Sequence, residues 1–349
     1  MKVKRPGWLV AVVLASMVGW VGSVLAGPAK VYVADEEGDT VSVLDAASFS
    51  KVATIPVGRG PHNIQVSPDG RLAWVTNNGE RRKLEDDREH KGMPRGEHEG
   101  MENRGEVWAI DTATDQVVAR VPVGRHPAHV VLTPDSRFAY VTNGGENTVS
   151  VVDTDTRHVV ATIPVGAYPH GIRISPDGKQ AYVANLKGGT VSVIDTEARK
   201  EVAQIPVGKG PAQVGFTPDA RLAFVSLSQE EKVAVIDPAS RKVIKKVAVG
   251  TVPIQVYATP DSRLLFVANQ GTKKRPGKTV SVINLETLEA AKTIETGPGA
   301  HGVVVDRDGR YAYVTNIYAN SVSVLDVKDL KVVATVPVGK GPNGISLTP

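Results

Sequence analysis

Residues 170–208 read HGIRISPDGKQAYVANLKGGTVSVIDTEARKEVAQIPVG, and this stretch decides the fold. It contains four short runs rich in β-branched residues, which are separated by polar residues, Gly and Pro. Residues 170–175 alternate apolar and polar side chains, which is typical of a strand that buries one face. The Pro-Asp-Gly at residues 176–178 has the backbone preferences of a tight turn. Four antiparallel strands in one such unit are typical of a β-propeller blade.

An aromatic residue recurs in the second run of every copy, at Tyr32, Trp74, Tyr140, Tyr182, Phe224, Phe266 and Tyr313. Four of the six intervals are 42 residues long, and the other two are 66 and 47. A nearly constant interval of this length indicates one structural unit copied seven times. We therefore predict an all-β, seven-bladed β-propeller over residues 27–349, with four antiparallel strands per blade. The first copy lacks its first strand, so residues 344–348 are expected to complete the N-terminal blade and close the ring.

Residues 1–26 have the pattern of a secretory signal peptide. Three cations among residues 2–5 precede an apolar run over residues 8–21, and residues 24–26 (Val-Leu-Ala) offer a cleavage site. We expect cleavage there and a periplasmic or secreted protein with no membrane span. The alternative is an uncleaved N-terminal anchor, because residues 6–29 carry no charge and are long enough to cross a bilayer.

Composition excludes several classes of chemistry. The 349 residues include no Cys, so disulfides, thiolate metal sites and Cys nucleophiles are excluded. The positive net charge comes mostly from the signal, because the rest of the chain has 38 Lys and Arg against 37 Asp and Glu. Composition therefore gives no specific signal for nucleic acid as a partner.

Three copies carry a four-residue motif: Trp74-Val-Thr-Asn77, Tyr140-Val-Thr-Asn143 and Tyr313-Val-Thr-Asn316. Together with the Thr-Pro-Asp at residues 133–135 and the Ile-Pro-Val-Gly at residues 163–166, they resemble the YVTN family of β-propeller repeats. The resemblance covers residues 30–349 and implies an exported propeller, in a family whose functions vary. In fold alone, the chain is also similar to the haem-binding propeller of dissimilatory nitrite reductases.

Two copies are longer than the others, and both extra segments fall between the second and third strands of a blade. The larger is a charged insertion at residues 79–106, and the smaller is a basic insertion at residues 270–278. One interpretation is that both are solvated surface loops, disordered when unbound. The other is that they form a lid or a partner-binding arm over the mouth of the channel.

Every copy has a polar residue just after the start of its innermost strand, where the seven strands converge on the channel. These residues are His62, His129, His170, Gln213, Gln255, His301 and Asn343. The preceding turns add positive charge at Arg59, Arg125, Lys209 and Lys340. A ring of this kind can satisfy backbone groups and ordered water. It can also bind an anionic small molecule or a protein partner, with these residues as the ligand-binding set.

Three of the histidines, His62, His129 and His170, lie on consecutive blades. Neutral imidazoles bind transition-metal ions, so these three are our predicted metal ligands. His90 and His98, in the larger insertion, are candidates for further ligands.

No nucleophile elbow, phosphate-binding loop or His-Glu-x-x-His motif occurs in the chain. The catalytic residues, if any, cannot be named. We therefore favour an exported, monomeric binding propeller whose ligand or partner docks on the face that carries the histidines. One alternative is a metal-dependent enzyme or redox accessory protein that uses those histidines. The other is a surface or adhesion scaffold with no small-molecule site.

Overall fold

A computed structural model describes residues 1, 29–79 and 105–349 of the chain. These residues form seven four-stranded antiparallel sheets, and no helix is present among them. Each innermost strand packs against the innermost strands of its two neighbours, so the sheets surround a central channel as blades. The prediction of an all-β, seven-bladed propeller is confirmed. The predicted signal peptide and most of the larger insertion lie outside the described residues.

The innermost and second strands of the blades position the residues of the candidate site. The innermost strands are β28 (Pro342–Leu347) in blade I, then β4 (Pro61–Val66), β8 (Pro127–Leu132), β12 (Pro169–Ile174), β16 (Pro211–Phe216), β20 (Pro253–Ala258) and β24 (Ala300–Val305) in blades II to VII. The second strands, in the same order of blades, are β1 (Lys30–Asp35), β5 (Leu72–Asn77), β9 (Phe138–Asn143), β13 (Gln180–Asn185), β17 (Ala223–Leu227), β21 (Leu264–Thr272) and β25 (Tyr311–Asn316).

The outer half of each blade faces away from the channel. The third strands are β2 (Thr40–Asp45), β6 (Glu106–Asp111), β10 (Thr148–Asp153), β14 (Thr190–Asp195), β18 (Lys232–Asp237), β22 (Arg275–Asn284) and β26 (Ser321–Asp326). The outermost strands are β3 (Ser50–Pro56), β7 (Gln116–Pro122), β11 (His158–Pro164), β15 (Lys200–Pro206), β19 (Lys242–Ala248), β23 (Glu289–Glu295) and β27 (Lys331–Pro337).

The ring is closed by pairing the two ends of the chain. Strand β28 lies antiparallel to β1 in blade I, where Val31 pairs with Leu347 and Val33 pairs with Ile345. The predicted closure is therefore confirmed. It leaves no innermost strand without a partner, which removes the exposed sheet edges that promote aggregation.

The Tyr-Val-Thr-Asn motif holds the blades together. The buried Tyr140 hydroxyl donates to the Thr196 carbonyl of the next blade (3.0 Å). Asn143 Nδ2 donates to the hydroxyls of Thr148 (3.0 Å) and Ser150 (2.9 Å) on the third strand. Because these side chains are committed to buried hydrogen bonds, the motif is scaffold rather than a ligand site.

The threonine of the motif joins two innermost strands. Thr142 Oγ1 accepts from the His129 amide (2.9 Å) and donates to the His170 carbonyl of the next blade (2.7 Å). Thr76 and Thr315 make the corresponding pair of bonds at two other blade junctions. The motif thus fixes the backbone next to the polar ring.

A β-bulge interrupts every innermost strand near its start. In β12, Pro169 pairs with Asn185 but Ile172 pairs with Val183, so one extra residue is accommodated between them. The pairing of the innermost strand shifts in the same way in all seven blades. The bulged residues are those of the polar ring, and a bulge changes the direction of the side chains it carries.

The smaller insertion is an ordered hairpin and not an irregular loop. Strands β21 and β22 continue past the ends of their counterparts, and Thr272 pairs with Arg275 at the tip. The larger insertion joins β5 to β6, on the same face of the propeller, and its residues 80–104 lie outside the described part of the chain. The described part of the chain contains no helix that is long and apolar enough to cross a membrane.

Candidate metal centre

The polar ring lies at one end of the channel, on the face that also carries the loops between second and third strands. We call it the histidine face. His62, His170, His301 and Asn343 are the second residues of their strands, whereas His129, Gln213 and Gln255 are the third. In a regular strand these two positions would point to opposite sides. The bulge lets both positions supply a side chain to the channel, which explains why the polar residue shifts by one position between blades.

Four imidazoles meet at the centre of this face, and we call His62, His129, His170 and His301 the histidine centre. The Nε2 atoms of His62 and His170 are 3.2 Å apart. The ring centroids of His129 and His170 are 4.9 Å apart, and His301 lies further out, with its centroid 6.5 Å from that of His62. One ring nitrogen from each of His62, His129 and His170 lies within 4.8 Å of the other two. The structure therefore brings together the three histidines that the sequence singled out.

Hydrogen bonds on the far side of the rings aim His170 and His62 at this point. His170 Nδ1 lies 2.9 Å from the Ala212 carbonyl, so Nδ1 carries the proton and the lone pair is on Nε2. His62 Nδ1 lies 3.3 Å from a Glu36 carboxylate oxygen and 3.1 Å from the Asn343 amide nitrogen. Histidines that bind metals typically have a carboxylate or carbonyl on the nitrogen that faces away from the metal.

His129 is the most deeply buried of the three histidines. Burial, followed by the neighbouring His170 and His62, holds the pKa of its imidazole well below the usual value, so it is neutral at pH 7. Its Nε2 is buried and makes no hydrogen bond within the described residues, while Nδ1 lies 3.4 Å from the Gln213 amide nitrogen. A buried ring nitrogen of this kind is a candidate ligand atom.

Glu36 is a residue that the sequence analysis did not identify. It follows β1 directly, it is 4% exposed, and its second carboxylate oxygen accepts from Asn343 Nδ2 (2.8 Å). Gln270 occupies the corresponding position in blade VI, and its Oε1 lies 3.1 Å from His301 Nδ1. Glu36 could have been identified from the sequence, because the segment that leaves the second strand lies on the histidine face in every blade.

The four predicted cations lie on the rim of the histidine face and are exposed: Arg59, Arg125, Lys209 and Lys340. Arg125 Nε is 3.4 Å from a Glu146 carboxylate oxygen. The other predicted ring members, Gln213 and Gln255, are buried beside the histidines. Gln255 Oε1 accepts from the Val303 amide of the next blade (3.3 Å), and Gln213 Oε1 accepts from the amide of Val214 (3.0 Å). These two amides therefore support the strands as well as facing the channel.

Family comparison agrees with the architecture. Residues 133–221 match the model of the YNCE-like β-propeller, and residues 219–344 match that of the cytochrome D1 heme domain. Both matches fall on the blades described above. The chain is a seven-bladed β-propeller, and its repeats are similar to those of the YVTN type. The segment that matches the cytochrome D1 heme domain contains His301, Gln255 and Asn343. It does not contain the three predicted metal ligands, His62, His129 and His170.

Among solved structures, the chain is similar to hydrazine synthase of Kuenenia stuttgartiensis, at 26% identity over 82% of this chain and 89% of that chain, with a TM-score of 0.69. A protein of unknown function from Desulfotomaculum acetoxidans has a TM-score of 0.73 at 18% identity, over 91% of this chain and 98% of that chain. The dihydro-heme d1 dehydrogenase NirN, solved in complex with DHE, has a TM-score of 0.63 at 18% identity, over 90% of this chain and 74% of that chain. The last two likenesses concern the fold alone.

A curated relative is antigen Lp49 of Leptospira interrogans, which is 28% identical over 122 residues. The match covers 35% of this chain and spans only a quarter (25%) of the antigen.

Proposed function

We propose that this protein is an exported binding propeller that holds a divalent transition-metal ion in its histidine centre. The observation that carries the proposal is the convergence of His62, His129 and His170 on one point of the channel. The function is binding, and the ligand or partner docks on the histidine face. Export is supported by the signal-like pattern of residues 1–26.

The distances suit a small ion. Two nitrogens that each lie about 2.0–2.1 Å from a tetrahedral ion are roughly 3.3 Å apart. The Nε2 atoms of His62 and His170 are already 3.2 Å apart. One ring nitrogen of His129 lies within 4.8 Å of the corresponding nitrogens of the other two histidines. Three imidazoles suit zinc, copper, nickel or iron better than magnesium or calcium.

The rest of the site suits ligand exchange. Three protein ligands leave a coordination position for water or for a donor atom of another molecule. Exposed cations such as Arg59 and Lys340 stand on the rim of the histidine face. Because positive charge around a mouth raises the local concentration of anions, an anionic small molecule is the favoured additional ligand.

Metal analysis of untagged, purified protein tests the proposal. The protein is stripped with a chelator and titrated with Zn²⁺, Co²⁺ and Cu²⁺ by calorimetry, and Co²⁺ binding is also followed by visible absorption. We expect one ion per chain, and a loss of at least 100-fold in affinity in His62→Ala/His170→Ala. The control is His158→Ala, because His158 is exposed on β11, an outermost strand. Absence of binding in the wild type, or equal binding in the double variant, would contradict the proposal.

A tetrapyrrole is the second candidate, and the match of residues 219–344 to the cytochrome D1 heme domain favours it. Imidazole is a common axial ligand of haem iron, and His301 lies within the matched segment. However, the 3.2 Å separation of the His62 and His170 nitrogens suits one ion better than a planar macrocycle. Titration with hemin separates the two candidates. A shifted Soret band that is lost in His301→Ala and retained in His62→Ala/His170→Ala would support haem over the metal ion.

A further inference from the structure

The channel has a second layer of side chains below the histidine centre. The fifth residues of five innermost strands line one cavity, and in order of blades these residues are Ser346, Gln65, Arg173, Tyr257 and Val304. Arg173 carries the one guanidinium in this layer. It lies three residues beyond His170 on β12, which places it about 10 Å further along the channel.

Arg173 reaches across the channel to other blades. Its Nη1 donates to Gln65 Oε1 (2.8 Å) on blade II, and its Cζ lies 5.7 Å from the ring centroid of Tyr257 on blade VI. No ion pair joins Arg173 to a carboxylate within the described residues. Burial lowers the pKa of this guanidinium, but arginine remains charged at neutral pH.

Arg173 is half-buried, and a half-buried cation that has no carboxylate partner in the described part of the chain is costly to the folded protein. One hydrogen bond to a neutral amide and contact with an aromatic ring offset only part of that cost. The guanidinium has five N–H donors, and the bond to Gln65 uses one of them. Donors therefore remain for a bidentate bond to a planar anion, which is the geometry that arginine prefers.

A cavity of about 300 Å³ opens beside Arg173 toward the face opposite the histidine face. Its apolar walls are Tyr257, Val304, Ile345 and Leu347. The volume is at the lower end of the range of small-molecule sites. One guanidinium at the inner end and apolar walls around it select a small anion with an apolar body.

The charged groups at the mouth of this cavity do not neutralise Arg173. Asp306 lines the mouth, but its two carboxylate oxygens accept from the amides of Arg310 (2.7 Å) and Tyr311 (3.0 Å). Arg307, which is exposed, adds positive charge there. Asp306 and Arg307 together leave the mouth without net charge, and the Arg173 guanidinium at the inner end attracts an anion.

We propose that this cavity is a second ligand site, which binds a small organic carboxylate through the Arg173 guanidinium and packs its apolar body against Tyr257, Val304 and Ile345. The site is distinct from the histidine centre, because it uses different side chains and opens on the opposite face. Phenylacetate and hexanoate are suitable probes. Phenylacetamide is the neutral counterpart of phenylacetate, and sulfate is an anion without an apolar body.

The test is calorimetry of the chelator-treated, full-length protein with each probe. We expect phenylacetate to bind at least tenfold more tightly than phenylacetamide or sulfate, and Arg173→Gln to weaken phenylacetate binding at least tenfold. The control is Arg71→Gln, because Arg71 lies on the same face and its side chain is 84% exposed. Equal binding of phenylacetamide or sulfate, unchanged binding by Arg173→Gln, or no binding of either carboxylate at millimolar concentration would overturn the proposal.

Chemical labelling of the wild type keeps the test decisive even if Arg173→Gln does not fold. Phenylglyoxal modifies arginines, and peptide mapping by mass spectrometry reports each site. We expect phenylacetate to protect Arg173 and to leave the labelling of Arg71 unchanged. Labelling of Arg173 that phenylacetate does not reduce would overturn the proposal.

Discussion

Glu36 and His62 come from neighbouring blades, and a carboxylate oxygen of Glu36 lies 3.3 Å from Nδ1 of His62. The same His62 ring directs its Nε2 at His170. A carboxylate on the outer nitrogen fixes the orientation of an imidazole and makes it a better metal ligand. Glu36 is thus the residue that links the scaffold of blade I to the histidine centre.

Glu36→Gln is expected to weaken metal binding by about 10–100-fold, because the amide keeps the size of the side chain but loses the negative charge beside His62. Titration calorimetry with Zn²⁺ measures the change. Glu37→Gln is the matched control, because Glu37 is adjacent but exposed. The same affinity in Glu36→Gln and in the wild type would show that Glu36 does not support the metal site.

Asp35→Asn is expected to stabilise the protein at neutral pH. Asp35 stands where five other blades have Asn, and burial raises the pKa of its carboxyl from 3.8 to about 6. Because this pKa is higher in the folded than in the unfolded protein, ionisation of the carboxyl makes the folded protein less stable as pH rises from about 4 to about 6. The expected gain is about 1–3 kcal/mol at pH 8, and it should disappear below pH 4.

Urea unfolding of wild type and Asp35→Asn between pH 3.5 and pH 8 measures this difference. An Asn at this position can donate to Thr40 and Ser42, whose hydroxyls bond Asp35 Oδ2 in the wild type. A difference that does not change with pH, or a variant less stable than wild type at pH 8, would contradict the explanation.

Thr142→Val is expected to lower the free energy of unfolding by about 1–3 kcal/mol, because it leaves the buried His129 amide without its acceptor. It also removes the bond to the His170 carbonyl, so metal affinity should fall as well. Thr162→Val is the control, because Thr162 is exposed on β11 and valine suits a strand. Equal unfolding energies for the two variants would argue against a role of the bridge in stability.

Replacing residues 78–105 with Gly-Gly-Glu-Asn is expected to preserve the fold. That sequence joins β9 to β10 at residues 144–147, and Asn77 pairs with Glu106 as Asn143 pairs with Thr148. The melting temperature should change by a few degrees at most, and Zn²⁺ affinity should be unchanged, since the three ligands lie on innermost strands. A tenfold loss of affinity would instead show that the insertion, with His90 and His98, contributes to the metal site.

The interval between aromatic residues was enough to predict the number of blades, and the first strand missing from the first copy was enough to predict how the ring closes. Each blade is held by local pairs, such as Asn143 with Ser150, that recur within one copy, so a single copy contains the information. The position of the histidines on one face also followed from the order of strands. The bulges were not predictable in this way, because they appear only in the pairing of two strands.

The sequence by itself determined the blade, its sevenfold copying and the face that carries the histidines, because all three depend on residues close together in the chain. The tertiary structure alone decided which side chains meet. His62 and His170 are 108 residues apart, as are Gln65 and Arg173, and Glu36 contacts Asn343 across 307 residues. These distances depend on ring closure and on bulges that turn side chains toward the channel, and no local pattern of residues specifies either one.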